Sequence, residues 1–133
     1  MSRPRKQTRP PVGLCVPCSF VRARDADTVG VSLPDSERIW WVRLLDCWAP
    51  ELPSEIGRQG KEAAESLCLE ASERGQFYLQ IPFDNVAHNV LANLLSFDRV
   101  LGVLWLDERR TLNHELIARG LASATKPIAE RGD

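Results

Sequence analysis

The sequence lacks the segments that carry a protein into or across a membrane. No apolar run in its 133 residues approaches the roughly 20 residues that span a bilayer. The first 12 residues are basic and lead into no apolar segment of the secretory type. We therefore expect a cytoplasmic protein with no membrane contact, whose four cysteines are reduced.

Positive charge is scarce outside the first ten residues. Residues 1–10 carry four basic side chains and no acid, whereas the rest of the chain has 13 basic and 18 acidic residues, a net charge of −5. This acidity argues against a broad phosphate-binding surface, so any contact with nucleic acid depends on a few placed arginines. We assign residues 1–12 to a flexible basic arm, 13–125 to one folded domain and 126–133 to a frayed C-terminal tail. The arm either assists nucleic-acid binding or serves solubility alone.

Cysteine and histidine are too few and too scattered for an obvious zinc site. Cys15 and Cys18 have the spacing of a ligand pair, but Cys47, Cys68 and the two histidines form no second close pair. A redox motif would lie where a strand meets a helix, whereas more strand follows here. Two buried thiols are the favoured interpretation, and a structural zinc module around Cys15 and Cys18 is the alternative.

Apolar, aromatic and β-branched runs predict five β-strands. Short polar turns separate the first three strands, which predicts a meander. Pro17 favours an edge or a bulge near the start of the first strand. The predicted strands are Leu14–Ala23, Val29–Leu33, Arg38–Leu45, Phe77–Pro82 and Arg99–Leu106.

Helical spacing of apolar residues predicts two to three helices around these strands, after a polar loop over residues 51–60. The helices run from Lys61 to a stop at Gly75, over Asp84–Leu95, and over Leu112–Arg119 between a Thr111 cap and Gly120. Strands and helices in this order predict an α+β fold of mainly β structure. The five-stranded OB-fold β-barrel is the leading architecture.

The stretch WWVRLLDCWAPE, residues 40–51, combines a buried strand with two charges that point to phosphate chemistry. Arg43 interrupts the predicted third strand, and its guanidinium cannot lose its proton. Pro50 makes a rigid turn that presents the Glu51 carboxylate. An arginine can hold phosphate oxygens bidentately while a carboxylate activates water, although a salt bridge at a barrel rim would have the same pattern.

Four motifs in order resemble those of the staphylococcal nuclease (thermonuclease) family over about residues 16–124. The family pattern is approximately D-G-D-T, R-L-L-x-x-D-x-P-E, Y-G-R and L-N-x-x-L-V-x-x-G-L-A. The corresponding segments here are DADT at 25–28, RLLDCWAPE at 43–51, FDR at 97–99 and LNHELIARGLA at 112–122.

The resemblance implies an OB-fold enzyme that hydrolyses phosphodiester bonds of DNA and RNA, usually with Ca²⁺. By position, Arg43 and Arg99 look like the pair that clamps the phosphate, and Glu51 looks like the carboxylate that activates water. Asp27 looks like a metal ligand, and Asp25 looks like a residue that supports this ligand from outside the coordination sphere. Fixed cations are attracted more strongly to the charge of the transition state than to the substrate, so these roles are chemically consistent.

Trp48 departs from this pattern, because it stands where the family has a second aspartate ligand. The nearest carboxylate, Asp46, would lie about 6.6 Å away along an extended chain, and could replace the ligand only if the chain bulges. We therefore expect a weakly bound divalent cation: Ca²⁺, Mg²⁺ or Mn²⁺. Trp48 either stacks on a base of single-stranded DNA or RNA or caps the barrel. Phe97 and Asp98 also replace the family's tyrosine and glycine.

Two functions follow from these residues. The first is a metal-assisted nuclease, and the second is a catalytically weak or inactive OB-fold module that binds nucleic acid or protein. The missing ligand and the acidic body favour the module, whereas Arg43, Glu51 and Arg99 favour the enzyme. Three functional residues at their expected places favour the nuclease over the module.

Overall fold

The computed structural model describes residues 14–34, 36–81 and 99–125, which form a mixed α+β fold. The described strands are β1 (Leu14–Pro17), β2 (Ser19–Asp25), β3 (Thr28–Ser32), β4 (Trp40–Leu44), β5 (Tyr78–Ile81) and β6 (Arg99–Trp105), and the helices are α1 (Glu55–Glu73) and α2 (Leu112–Ala118). The predicted arm, tail and 84–95 helix, together with Phe97 and Asp98, lie outside the described residues. The α+β class is confirmed.

The strands form one sheet in the order β1-β5-β6-β4-β3-β2. The predicted meander β2-β3-β4 is present and antiparallel. β4 then pairs with β6 in parallel, with Arg43 opposite Leu101. A parallel pair needs a long crossover, and the intervening chain that contains α1 and β5 provides it. This topology places the start of β6 beside β4.

The first predicted strand is divided at Cys18, so six strands are described where five were predicted. Pro17 has no N–H to continue the ladder, and the Cys18 N–H donates to the Phe77 carbonyl at 3.0 Å. The chain changes partner at this point, since β1 pairs with β5 and β2 pairs with β3. β1 and β2 are therefore the two edges of an open sheet, as Pro17 suggested for β1. The described sheet is not closed into a barrel, so the predicted OB-fold is not confirmed.

The helix predicted from Lys61 begins six residues earlier, at Glu55. The Ser54 hydroxyl caps it by accepting from the Gly57 N–H at 3.0 Å. Gly57 suggested a loop, yet it lies buried in the first turn of the helix. The absence of a side chain allows this packing, because a Cβ at Gly57 would lie 2.7 Å from the Glu51 carbonyl oxygen. The predicted loop is thus wrong for residues 55–60, whereas Gly75 follows the helix with φ of +70° as expected.

The core lies between the sheet and the two helices. Val42 and Leu44 of β4 and Leu104 of β6 are fully buried, and such side chains each contribute roughly 1.5–3 kcal/mol. The prediction for α2 is confirmed to within a residue, since Thr111 accepts from the His114 N–H at 3.0 Å. Within the part of the chain that the structure describes, neither helix has both the length and the apolar content that a bilayer requires.

Candidate functional site

Strand register brings the predicted arginine to the predicted aspartates. Asp25 ends β2, and Asp27 lies in the turn between β2 and β3. Thr28, the first residue of β3, pairs with Arg43 on β4. The Leu44 N–H also donates to the Asp27 carbonyl at 2.9 Å, which fixes the turn against β4. The sheet itself therefore places these side chains together.

The Arg43 side chain is 20% exposed and is held by the turn that follows its own strand. Nη1 donates to the Leu44 carbonyl at 2.7 Å and to the Cys47 carbonyl at 2.8 Å. Nη2 lies 3.6 Å from Oδ2 of Asp27. This contact is an ion pair, as the salt-bridge alternative predicted, and it is too long for a hydrogen bond. Among the described residues, Nε donates no hydrogen bond to the protein, so it remains available for an anion.

Asp27 and Asp25 form a partly buried carboxyl pair. Asp27 Oδ2 accepts from the Ala49 N–H at 2.8 Å, and the Thr28 hydroxyl lies 3.4 Å from its Oδ1. Burial, then the hydrogen bond and the negative charge of Asp27, raise the pKa of Asp25 to about 6. Oδ1 of Asp25 is buried without a hydrogen-bond partner among the described residues. A buried carboxyl oxygen in this state is under-satisfied and suits a cation or a water.

Asp46 lies in a turn rather than in the extended chain that its spacing suggested. Its φ is +51°, and its side chain is exposed. The chain does depart from the strand here, but the Asp46 carboxylate forms no hydrogen bond or ion pair with a described residue. Within residues 14–34, 36–81 and 99–125, no three His, Cys, Asp or Glu side chains converge as a metal cluster. A role for Asp46 as third ligand stays a prediction.

Trp48 covers the guanidinium of Arg43. The Arg43 Cζ lies 5.6 Å from the centre of the Trp48 ring, within the range of a cation–π contact. The Trp48 backbone forms two hydrogen bonds of 2.9 Å with Ser123, so the residue is fixed to the segment after α2. Trp48 is half-buried, which leaves both base stacking and a capping role open.

Glu51 is placed by backbone bonds rather than by contact with the arginine. Its carbonyl accepts from the Ser54 hydroxyl at 2.8 Å and from the Ser54 N–H at 3.2 Å. Its side chain is exposed and forms no hydrogen bond or ion pair with a described residue. Arg99 begins β6, with its backbone opposite Trp41 and two residues before Leu101, the partner of Arg43. The convergence of both arginines with Glu51 stays a prediction.

Asn113 is a residue whose role the sequence did not reveal. It is 8% exposed, and its Nδ2 donates to the Leu45 carbonyl at 2.9 Å and to the Gly102 carbonyl at 3.3 Å. Its Oδ1 accepts from the Leu104 N–H at 3.2 Å. Asn113 therefore joins α2 and β6 to the turn that leads to Trp48. The signal in the sequence that pointed to such a role was a polar amide among the apolar residues of a short predicted helix.

The cysteines differ from the favoured interpretation in one respect. None of the four is in a disulfide bond, and Cys15 is exposed, so the prediction of two buried thiols is correct only for Cys18. Burial raises the pKa of Cys18 and of Cys47 to about 12 and raises that of Cys68 well above its ordinary value. Such thiols are protonated in the metal-free protein. The zinc module finds no support among the described residues, where no three His, Cys, Asp or Glu side chains form a metal-binding group.

No model of a known protein family matches the chain. No curated protein is significantly similar to it either. The evidence for its function is therefore the geometry of its own residues and the motifs that resemble those of the thermonuclease family.

Proposed function

We propose that this protein is a metal-assisted nuclease that hydrolyses phosphodiester bonds of DNA or RNA. The supporting observation is the position of Arg43, whose guanidinium is fixed through one nitrogen and lies beside the carboxyl pair of Asp25 and Asp27. A preorganised fork of donors stabilises phosphate charge without reorganisation during the reaction. The family resemblance adds Glu51 and Arg99 to the same site.

In the proposed reaction, a water oxygen attacks phosphorus while the Glu51 carboxylate accepts the water proton. One P–O ester bond breaks, the departing oxygen takes up a proton, and the products are a phosphate monoester and an alcohol. Arg43 and Arg99 bind the equatorial oxygens, where negative charge accumulates. Loss of such a donor typically lowers the rate by roughly a hundred- to a thousand-fold.

The carboxyl pair fits a divalent cation. Asp25 and Asp27 offer hard oxygen donors, and the buried Oδ1 of Asp25 has no partner among the described residues. A bound Ca²⁺, Mg²⁺ or Mn²⁺ would neutralise charge on the phosphate oxygens. Two protein carboxylates are few for such an ion, so weak binding follows. We expect Trp48→Asp to tighten Ca²⁺ binding in calorimetry, and an unchanged affinity would mean that the pocket differs from the family's.

A module that binds nucleic acid or protein without cleavage is the second candidate. It is favoured by the exposed Glu51 carboxylate, which contacts no described site residue. In either case, we propose that β1 and β2, which only Cys18 separates, together form the first strand of an OB-fold barrel. Four cysteines without a disulfide bond suit a reducing cytoplasm.

Cleavage of single-stranded DNA and RNA tests the proposal, with Ca²⁺, Mg²⁺, Mn²⁺ or EDTA present. We expect Glu51→Gln and Arg99→Ala each to lose at least a hundred-fold in rate. Glu73→Gln and Arg74→Ala are matched controls at exposed positions and should cleave normally. Cleavage that is indifferent to the first two variants would identify a contaminant. Binding without cleavage in every metal would select the module.

A further inference from the structure

Two arginines lie over one tryptophan on the sheet face opposite the core. The Cζ atoms of Arg22 and Arg24 lie 5.3 and 4.2 Å from the centre of the Trp41 ring. Trp41 alternates along β4 with the buried residues Val42 and Leu44, so its side chain projects from the other face. We refer to Arg22, Arg24 and Trp41 as the arginine–tryptophan cluster.

A glycine makes room for this cluster. Gly30 on β3 pairs with Arg22 on one side and with Trp41 on the other. A Cβ at Gly30 would lie 3.0 Å from Cζ3 of Trp41, so the ring lies across the space that a side chain would fill. The register of β2 shifts on both sides of the Arg22–Ala23 pair, and both guanidinium groups reach the same ring.

The two arginines of the cluster have no acidic partner within residues 14–34, 36–81 and 99–125. Both are exposed, and neither forms an ion pair with any residue that the structure describes. Several arginines elsewhere are paired with acids, as Arg58 is with Glu55 and Arg74 is with Glu70. On a body with more acids than bases, two unpaired guanidinium groups on one sheet face form a local positive surface.

We propose that the arginine–tryptophan cluster is a second contact surface for single-stranded nucleic acid. An unpaired base stacks on the guanidinium planes that the Trp41 ring supports from below, and the positive charge of Arg22 and Arg24 attracts the phosphates. Stacking requires an exposed base face, which a duplex does not offer within its length. Cations together with an aromatic plane therefore favour single strands over duplexes.

The cluster is continuous with the proposed phosphate site. Trp41 lies two residues before Arg43 on β4, about 6.6 Å along the strand and on the same face. A strand bound at both places would run along β4 from the stacking platform to the site of cleavage. This direction rests on the proposed nuclease function, but binding at the cluster does not require cleavage.

Binding of a fluorescent 15-residue oligothymidylate tests the inference, measured by anisotropy in EDTA with the full chain carrying Glu51→Gln. We expect Trp41→Ala to weaken binding roughly 5- to 100-fold, because the guanidinium planes lose the ring that holds them in place for stacking on one base. The double variant Arg22→Gln/Arg24→Gln keeps the tryptophan. It should reduce the magnitude of the negative slope of log affinity against log salt concentration by about 1.4, because two cations are lost. Arg58→Gln/Arg74→Gln, which changes net charge equally, should leave affinity and slope unchanged.

The outcomes separate this inference from the nuclease proposal. If both cluster variants bind like their parent, the inference is overturned even where the wild type cleaves. If they lose binding while no wild-type cleavage is found, the inference stands and the nuclease proposal fails. Equal binding of a duplex, or equal competition by polyglutamate, would show a general anion surface and overturn the inference. Circular dichroism confirms that each variant folds.

Discussion

Replacing Asn113 by alanine should destabilise the protein by removing three hydrogen bonds at once. The side chain connects the backbone of Leu45, Gly102 and Leu104, so its loss leaves two carbonyls and one N–H without this partner. Such bonds contribute about 0.5–1.5 kcal/mol each, and a buried group left unpaired costs more. Because the bond to Leu45 is only partly buried, water can replace it. We therefore expect a loss of about 2–3 kcal/mol in the free energy of unfolding.

Equilibrium unfolding in urea, followed by tryptophan fluorescence, measures this loss. His114→Ala is the matched control, because its exposed side chain is one residue away, and it should change stability by less than about 0.5 kcal/mol. Asn113→Asp should be at least as damaging as alanine, since a carboxylate would face the two carbonyls that now accept from the amide. An Asn113→Ala protein within about 0.5 kcal/mol of wild type would refute the assigned bonds.

Three further results are expected. Gly57→Ala should destabilise by about 1–3 kcal/mol in urea unfolding, because its Cβ would lie 2.7 Å from the Glu51 carbonyl oxygen and 2.8 Å from the Ser54 hydroxyl oxygen. Gly60→Ala should cost less, because the Ala26 Cβ, at 3.0 Å, is its one close contact and the next atom is 3.8 Å away; equal effects would contradict this. Raising the pH from 4 to 8 in EDTA should destabilise wild type relative to Asp25→Asn. The fold raises the pKa of the Asp25 carboxyl from 3.8 to about 6, so the folded state disfavours the charged form that higher pH produces. A difference in urea midpoint between the two proteins that stays constant with pH would contradict this. A thiol reagent at pH 8 should modify the exposed Cys15 rapidly in the native protein, and the three buried cysteines only after denaturant is added. Rapid reaction of more than one thiol in the native protein would disprove the burial of the other three.

Local signals in the sequence predicted much of the fold. The meander, the Thr111 cap and the glycines that follow both helices were correct, because each depends on a few neighbouring residues with a strong conformational preference. The start of α1 was not, because Gly57 resembles a loop residue until the carbonyls packed against it are known. The division of the first strand likewise depends on Phe77, which is distant in sequence.

The candidate site divides in the same way. Residue types and the family resemblance placed Asp25, Asp27 and Arg43 in one candidate site, and a short turn and strand register do bring these residues close together. Only the tertiary structure showed that Arg43 is fastened by carbonyls of its own turn and that Asn113 holds that turn from a helix. Side-chain pattern encodes which residues are buried and where the chain turns. Which backbone groups a side chain meets depends on contacts between distant segments, and those exist only once the sheet has formed.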